Sequence, residues 1–580
     1  MADTSTKRKQ QQKQALLRLL IMAAILLCLN VLASYFNYSL DLTQEKRFTL
    51  SPATKHMLGN MKDVVVVDVY LKGEFPAGFK KLQEATRERL QSFKEYAGNH
   101  IVYRFINPLE GKSAAEKDIL AQEMIKAGIS GVKVEMGNEE GSSEKIIFPW
   151  ALVHYYGKEM AVNLLENHFG MSAQAKLNAS EALLEYKLAN AINKLAQPDK
   201  KHIAYLMGNG ESLGYNTYDA LTTVEHIYHL DTIDIHNGID IPIVYDAIII
   251  NRPRTAFDDR EKYKIDQYVM HGGHILWSID ALNTGMAMDS LMNSQQFIAM
   301  DYGLNLDDLL FKYGVRINNN LVEDMQCEQI PTLQEGYTNS NGQPQIEMHD
   351  WIFFPVLLPT ADHPIVNNMG AILSKFASSI DTLADTSIHI RKTILLQSSK
   401  YSRTEASPVR VSMGMLRYPV REDMFRSPYK PVAVLVEGTF KSAFQNRLPP
   451  AFLRLLQDSI KKPFKEICDT SNNMIVIADA DIIANDINSN GPLEMGYWKY
   501  SQAAYANKSF FLNCLEYLTD RSGLLEARSK DLKLRLLDGG RVKAEKLQWR
   551  IINIGLPILL VLIFASGFIF FRKRRYENAG

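Results

Sequence analysis

Two groups of residues in the 580-residue sequence have types and spacings that could bind a ligand. The first group follows two separate apolar runs and consists of Gly208, Asn209, Gly210, Glu211 and Asp280. In open α/β sheets a ligand binds where the chain leaves a strand, so these residues are candidate contacts for a ligand or a partner. The patterns G-x-G-x-x-G and G-x-x-x-x-G-K-[ST] are absent, and a tight turn explains the glycines better than a phosphate site does.

The second group consists of histidines. His226 and His229 lie beside Glu225 on a predicted helix, and His271 and His274 flank a Gly-Gly pair. Imidazoles at such spacings can bind a metal, but no third ligand follows at a spacing typical of metal sites. The four cysteines form no C-x-x-C and no Cys/His pattern of a zinc site. We therefore predict neither a metal nor another cofactor.

An acyl-transfer enzyme needs a nucleophile on a sharp turn between a strand and a helix. The predicted strand that contains Ser278 delivers Asp280 at that point, where an aspartate most often serves as a helix N-cap. No predicted strand that is followed by a helix ends at Cys327, Cys468 or Cys514, and their spacing leaves a disulfide open. The sequence therefore predicts a protein without catalytic residues, which is not an enzyme.

Composition and charge exclude further classes of protein. The chain is 46% hydrophobic and 22% charged, as globular proteins are, which excludes a disordered or collagen-like chain. Lys and Arg number 65, and so do Asp and Glu, so the formal net charge is zero. Without a basic surplus the sequence favours no nucleic acid as a partner.

Apolar runs at both ends predict two transmembrane helices, residues 15–36 and 551–571. The second run has no charged residue and is followed by four basic residues. The first run contains Arg18 and can also be interpreted as a signal peptide that is cleaved after residues 31–33. Its length exceeds that of a signal-peptide core, which favours an anchor that is not cleaved.

The basic N-terminal tail predicts the orientation of the chain. Lysines and arginines precede the first span more densely than they follow it, so residues 1–14 are expected in the cytoplasm. A second span returns residues 572–580 to the same side, and the bulk of the chain is extracytoplasmic. Gly555 and Gly567 are candidate helix-packing positions in the second span, since small residues let helices approach closely.

The exported part predicts two α/β domains separated near residues 197–199. In residues 37–197 the order strand, helix, strand, helix, strand, strand, helix is similar to the thioredoxin fold, although K-G-E-F-P-A at 72–77 replaces the two redox cysteines. In residues 200–520 strands alternate with helices, which predicts a doubly wound parallel sheet. Residues 320–420 are less periodic and are expected as an insertion outside the sheet. Residues 521–550 are predicted to form a membrane-proximal stem.

Short stretches over nearly the whole chain carry a resemblance to a known family. They are D-L-T at 41–43, K-R-F-T-L-S at 46–51, K-I-D-Q-Y-V at 264–269 before Gly-Gly, H-P-I at 363–365, and K-L-Q-W at 546–549 before Pro557. In this order, with two anchors, the chain resembles the GldG family of gliding motility-associated ABC transporter auxiliary proteins of the Bacteroidetes. Its central part resembles the class I glutamine amidotransferase-like domain of such proteins and of intraflagellar transport proteins, without a catalytic cysteine.

The resemblance implies a non-enzymatic auxiliary or substrate-binding subunit of an ABC transporter. It implies an ABC permease subunit and a cytoplasmic ATPase subunit as partners, contact with membrane lipid, and a position in the inner membrane with the bulk of the chain in the periplasm. A second class, a membrane-tethered envelope hydrolase or transferase, also remains open. That class requires histidine and aspartate side chains that converge in a cleft, so the geometry of His226, His229, His271 and Asp280 discriminates between the two.

Overall fold

The computed structural model describes residues 17–28, 30, 49–126, 129–138, 141–166, 171–197, 199–284, 296–338, 344–383, 390–459, 462–489, 491–520, 522–529 and 539–577. It is a mixed α/β structure that divides into two units, Met1–Asp531 and Leu532–Gly580.

Among the described residues from 49 to 197, the first part of the large unit contains six strands and four α-helices. The strands are β1 Val65–Val69, β2 Ile101–Phe105, β3 Val132–Asn138, β4 Gly141–Ile147, β5 Trp150–Tyr155 and β6 Lys158–Asn163. The helices are α1 Pro52–Gly59, α2 Ala77–Ala97, α3 Ala114–Lys126 and α4 Ala173–Ala196. One sheet has the order β2-β1-β5-β6, with β1 parallel to β2 and antiparallel to β5, while β3 and β4 form a separate hairpin.

Local sequence signals explain where these elements begin and end. The side chain of Ser51 accepts a hydrogen bond from the N–H of Thr54, and Pro52 occupies the first turn of α1, where its missing N–H costs no helical bond. Gly98 ends α2 with a φ of 63°, a conformation that glycine adopts without strain. Pro149 separates β4 from β5, because proline cannot donate to a ladder.

The second part of the large unit contains twenty strands and five α-helices among the described residues. The strands are β7 His202–Met207, β8 His229–Asp234, β9 Ala247–Asn251, β10 His274–Ser278, β11 Gln296–Ala299, β12 Val315–Ile317, β13 Asn320–Asp324, β14 Cys327–Thr338, β15 Pro344–Pro359, β16 Ile372–Leu373, β17 Ile380–Thr382, β18 Ile390–Gln397, β19 Ser402–Ala406, β20 Val409–Ser412, β21 Pro431–Gly438, β22 Asn472–Ile477, β23 Ile487–Asn488, β24 Gly491–Pro492, β25 Tyr497–Trp498 and β26 Ala503–Ala504. The α-helices are α5 Tyr218–Ile227, α6 Asp259–Met270, α7 Asp307–Lys312, α8 Pro450–Arg454 and α9 Asn507–Thr519. Short helical turns occur at Gly98–His100, Tyr215–Thr217, Met413–Arg417, Glu422–Met424, Leu455–Ser459, Ala480–Ile483 and Leu524–Ser529.

A ten-stranded sheet organises this second part, in the order β14-β15-β18-β21-β22-β10-β9-β7-β8, with β16 paired to β15. The strands from β8 to β22 are parallel, as the alternation of strands and helices predicts. From β22 outward the pairings are antiparallel, so the sheet is mixed rather than wholly parallel. Ile203 and Tyr205 of β7 belong to one core cluster, and Ala204 and Leu206 belong to another. Because alternate residues of a strand point to opposite faces, both faces of the sheet are covered.

Part of residues 320–420 does not leave the sheet as expected, because β14, β15 and β18 extend it, whereas β13, β17, β19 and β20 pair in separate two-stranded sheets. The long strand β15 contains Trp351, Phe353 and Phe354, which are buried in an aromatic cluster with Phe376 and Trp498. Buried aromatic side chains of this size stabilise a strand by the apolar area that they remove from water. The predicted boundaries of the domains, the thioredoxin-like fold and the amidotransferase-like fold stay predictions.

Helix α4 joins the two parts of the large unit. Leu184, Leu188 and Ile192 belong to the core of the first part, whereas Tyr186 belongs to a core of the second. The hydroxyl of Tyr186 donates to Oε2 of Glu516 at 2.5 Å. One helix therefore contributes side chains to both cores.

The small unit is the helix α10, Gly539–Glu577, with Pro557 inside it. Its segment Gln548–Arg574 has a mean hydropathy of 2.6 and is long and apolar enough to cross a membrane. Within the described residues no other helix meets both criteria. The apolar helix Leu17–Cys28 is shorter, and part of the predicted first span, 15–36, lies outside the described residues.

Candidate functional site

The candidate site lies where the strand order of the large sheet reverses. After β7 the chain adds β8 on one side and then returns to add β9 on the other side. Ligands of open α/β sheets bind in the crevice at such a point, outside the carboxyl ends of the strands. Residues 208–211 follow β7 directly and Asn251 ends β9, so the structure places the predicted tetrad at this reversal.

The turn after β7 requires glycine at two positions. Gly208 and Gly210 have φ angles of 132° and 88°, which favour residues without a Cβ. A Cβ on Gly210 would also lie 3.0 Å from the Cβ of Arg254. The N–H of Asn209 donates to Oε2 of Glu211 at 2.7 Å, so the turn is fixed by a side chain as well as by its backbone.

Three buried oxygens at this edge accept no hydrogen bond from the described part of the chain: Asn209 Oδ1, Glu211 Oε1 and Asn251 Oδ1. Their residues are only 2%, 5% and 2% exposed. The amide of Asn209 is oriented by its Nδ2, which donates to Ala256 at 3.3 Å and to Glu261 at 3.2 Å. An unsatisfied buried acceptor costs roughly 1–3 kcal/mol, so these oxygens require donors from a ligand or from water.

The pKa values of two groups near these oxygens are raised. Burial raises the pKa of Glu211, and the nearby carboxylate of Glu261 adds to the shift. Burial also raises the pKa of Tyr205 to about 12. The Tyr205 hydroxyl donates to the carbonyl of Ser212 at 3.1 Å and accepts from Nδ2 of Asn251 at 3.4 Å. The arrangement suits a ligand that presents N–H or O–H groups.

Arg252 connects the carboxyl ends of three parallel strands. It follows β9 with a φ of 53°, and its Nε donates to Oδ2 of Asp280, beyond β10, at 3.0 Å. Its Nη2 lies 2.5 Å from Oδ1 of Asp481, beyond β22. Burial raises the pKa of Asp280, and the Arg252 guanidinium opposes the shift. This buried ion network holds the strand ends together.

Asp280 does not cap a helix of its own segment, which corrects the predicted use of this residue. Residues 281–284, which follow it directly, are not helical, and its Oδ1 instead accepts from the N–H of Ala480 at 2.7 Å. It thereby caps the short turn Ala480–Ile483 from a distant part of the chain. Asp280 lies at the same sheet edge as the Gly208 turn, and its contacts there are with Arg252 and Ala480.

Sequence reasoning missed four residues of this edge: Asn251, Arg252, Asp479 and Asp481. Asp479 accepts from Oγ of Ser374 at 2.5 Å, and burial raises its pKa well above the usual range. The signal that could have found them was the one that selected Asp280, since polar residues also follow the apolar runs of β9 and β22.

The histidines lie at the opposite, amino edge of the parallel strands. His226 is on α5, but the helix ends at Ile227 and His229 begins β8, so these histidines do not share a helix as predicted. His271 caps the end of α6 and His274 begins β10. Asp280 follows the carboxyl end of β10, so the length of a strand, at about 3.3 Å per residue, separates Asp280 from the amino edge. The four diagnostic side chains therefore do not converge in one cleft.

The described cysteines are free thiols. Burial raises the pKa of Cys327 to about 12 and that of Cys468 to about 11, and it raises the pKa of Cys514 well above its usual value. The thiolate is the nucleophilic form, so these thiols are poor nucleophiles at neutral pH. Their disulfide bonding, left open by the sequence, is not observed.

Two segments of the chain match models of known protein families. A family model described as an ABC-type uncharacterized transport system matches residues 200–514, which is more than half of the chain. The chain belongs to this ABC-type transport system family. The matched segment contains the whole site described above, here named the carboxyl-edge site, which consists of Gly208, Asn209, Gly210, Glu211, Asn251, Arg252, Asp280, Asp479 and Asp481. The family supports the predicted role as an auxiliary protein of an ABC transporter. A domain of unknown function, DUF7088, matches residues 44–154.

Two individual proteins were found to be similar to this ABC-type transport family member. An uncharacterized protein of Borreliella burgdorferi is 18% identical over 551 residues, which cover 93% of this chain and 94% of the relative. A solved structure described as the mmIFT52 N-terminal domain is 12% identical with a TM-score of 0.30, and the match covers 55% of this chain and 97% of that one.

Proposed function

We propose that this protein is a non-enzymatic, membrane-anchored auxiliary subunit of an ABC transporter, which binds an envelope ligand or partner through its carboxyl-edge site. The observation that carries the proposal is the family match over residues 200–514, in a chain that also has the apolar helix segment Gln548–Arg574. A subunit of this kind requires a binding surface and an anchor, whereas ATP hydrolysis is left to a separate subunit.

The geometry of the carboxyl edge favours binding over catalysis. The unpartnered oxygens of Asn209, Glu211 and Asn251 can receive donors from a ligand, and Asp280 is already engaged by Arg252. The buried Ser278 lies within β10 rather than on an exposed turn. The alternative, a membrane-tethered hydrolase or transferase, has no observation in its favour, because the histidines and Asp280 lie at opposite edges of the sheet.

The resemblance to the GldG family gives the proposal its finer form. The partners are an ABC permease subunit and a cytoplasmic ATPase subunit, the location is the inner membrane with the bulk of the chain in the periplasm, and the process is gliding motility or associated transport. Both termini are cytoplasmic in this arrangement. Gly555 and Gly567 in α10 then lie against the permease, and a Cβ on either one would meet no atom within 4 Å apart from its own helix.

Copurification from native membranes tests the partners. The full chain with an affinity tag should retain the permease and the ATPase after mild detergent extraction. A variant in which residues 548–574 are replaced by an unrelated span is the matched comparison, because it separates anchoring from recognition. Absence of any transporter subunit from the wild-type eluate, with the protein intact, would reject the proposal.

Thiol labelling of spheroplasts tests the orientation. In a chain without other cysteines, Tyr418→Cys should react with an impermeant maleimide, because Tyr418 is 76% exposed and belongs to the proposed periplasmic part. Arg574→Cys should react only after the membrane is permeabilised. The reverse pattern would overturn the topology and leave the transporter role to be judged by copurification.

A further inference from the structure

A cluster of metal-binding side chain types lies at the amino edge of the large sheet, away from the carboxyl-edge site. One ligand atom from each of His202, His229 and Asp231 lies within 4.8 Å of the others. The two imidazole rings are 4.7 Å apart between centroids, and Nε2 of His229 lies 3.6 Å from Oδ1 of Asp231. Three potential ligands from two strands therefore face one point.

The strand register explains why these residues meet. β7 and β8 are parallel neighbours, and His202 pairs directly with His229. Side chains two residues apart on a strand point to the same face, so Asp231 lies on the same side as His229. The sequence does not reveal this cluster by a short spacing, because His202 on β7 precedes His229 and Asp231 on β8 by 27 residues or more.

Backbone hydrogen bonds and a neighbouring tyrosine position the side chains of the cluster. Oδ2 of Asp246 accepts the backbone N–H of His202 at 3.1 Å, which fixes the start of β7. The carbonyl of Lys201 accepts the N–H of His229 at 2.8 Å. The side chain of Tyr245 lies beside the carboxylate of Asp231. A hydroxyl beside a ligating carboxylate is typical of the outer shell of metal sites.

The chemistry of the ligands selects the ion. Two imidazoles and one carboxylate suit zinc and related transition metals, whereas magnesium and calcium prefer all-oxygen sites. Three protein ligands leave a fourth tetrahedral position for water or for a group from a partner. β8 is an edge strand of the sheet, so an ion at this point would join the edge to its neighbour.

We propose that His202, His229 and Asp231 bind one zinc ion, which ties the edge strand β8 to β7 and leaves one coordination position open. The site is independent of the transporter role and of the carboxyl-edge site. Its side chains are accessible, since those of His229 and Asp231 are 58% and 38% exposed.

Cobalt titration of the purified full chain in detergent tests the site. After treatment with a chelator, the wild type should bind one equivalent of Co²⁺ with the visible absorption of a tetrahedral complex, and Zn²⁺ should displace it. His202→Ala and His229→Ala should each weaken binding by more than the roughly 10–100-fold that the loss of an outer-shell partner costs. Asp231→Asn should weaken it as well.

His226→Ala is the matched control, because His226 is exposed, lies three residues from His229 and is outside the cluster. It should bind Co²⁺ as the wild type does. Circular dichroism checks that each variant is folded, and Zn²⁺ should raise the thermal midpoint of the wild type and of His226→Ala only. Absence of stoichiometric binding by the wild type, or equal binding by all variants, would overturn the proposal.

Discussion

The Nε of Arg252 donates to Oδ2 of Asp280 at 3.0 Å and thereby joins the end of β9 to the end of β10 at the candidate site. Both residues are buried, and a third group, Asp481, lies 2.5 Å from the same guanidinium. Removing the Arg252 cation would leave the buried carboxylate of Asp280 and the half-buried carboxylate of Asp481 without this counterion.

We expect Arg252→Ala to destabilise the protein by about 3–5 kcal/mol, because uncompensated buried charges are costly. Urea unfolding followed by tryptophan fluorescence measures the loss. Arg421→Ala is the control, since its side chain is 70% exposed and its ion pair with Asp423 should change stability by no more than about 1 kcal/mol. Adding Asp280→Asn to Arg252→Ala should recover part of the loss, and equal effects of the two arginine variants would contradict the role of the network.

The carboxyl group of Glu323 should make the stability of the folded protein depend on pH. Burial and the neighbouring Glu405 raise its pKa to about 7, against the opposing ion pair with Arg403. An acid whose pKa is raised in the folded state binds its proton more tightly there, so its favourable contribution is present at low pH and is lost as the pH rises toward 7. Between pH 4.5 and pH 8 the wild type should lose on the order of 2–3 kcal/mol of its free energy of unfolding through this group, and Glu323→Gln should not show that loss.

Urea midpoints of the wild type and of Glu323→Gln at pH 5 and at pH 8 measure this difference. The variant should be the more stable protein at pH 8 and differ least at pH 5. A wild type whose midpoint rises from pH 5 to pH 8 relative to that of the variant would reverse the sign and refute the prediction.

The buried thiols should be unreactive in the folded protein. Cys468 and Cys514 are buried, and their raised pKa values keep them protonated at pH 8. We expect iodoacetamide to modify them only after denaturation, as measured by mass spectrometry of peptides. Rapid alkylation of Cys468 under native conditions would instead indicate an activated thiol and would reopen an enzymatic function.

Substitution of two glycines in α10 tests whether this helix recognises the permease or only anchors the chain. Gly555→Leu with Gly567→Leu keeps the helix apolar while it blocks close approach of a second helix. We expect normal membrane levels and reduced copurification of the permease. Val561→Leu with Ile563→Leu is the control, since it changes side chain shape without filling a small-residue surface. Unchanged copurification of the glycine variant would place recognition outside this helix.

Local sequence patterns were sufficient for the elements that depend on neighbouring residues. The apolar runs of β7, β9, β10 and β22 identified the parallel strands, because a strand buried on both faces needs a continuous apolar run. The uninterrupted apolar run at 551–571 likewise identified the one described helix that is both long and apolar enough to span a membrane. The turn at Gly208 was recognisable because glycine after a strand marks a change of backbone direction.

The tertiary structure alone decided which distant groups meet. Arg252 and Asp481 are 229 positions apart in sequence, and only the pairing of β10 with both β9 and β22 brings the ends of those strands together. His202 and His229 meet because of the register of β7 with β8, which no spacing along the chain encodes. The sequence therefore determined the mixed α/β class, the apolar C-terminal helix and the glycine turn. The ion network and the histidine cluster depend on strand order and register, which arise from the packing of the whole sheet.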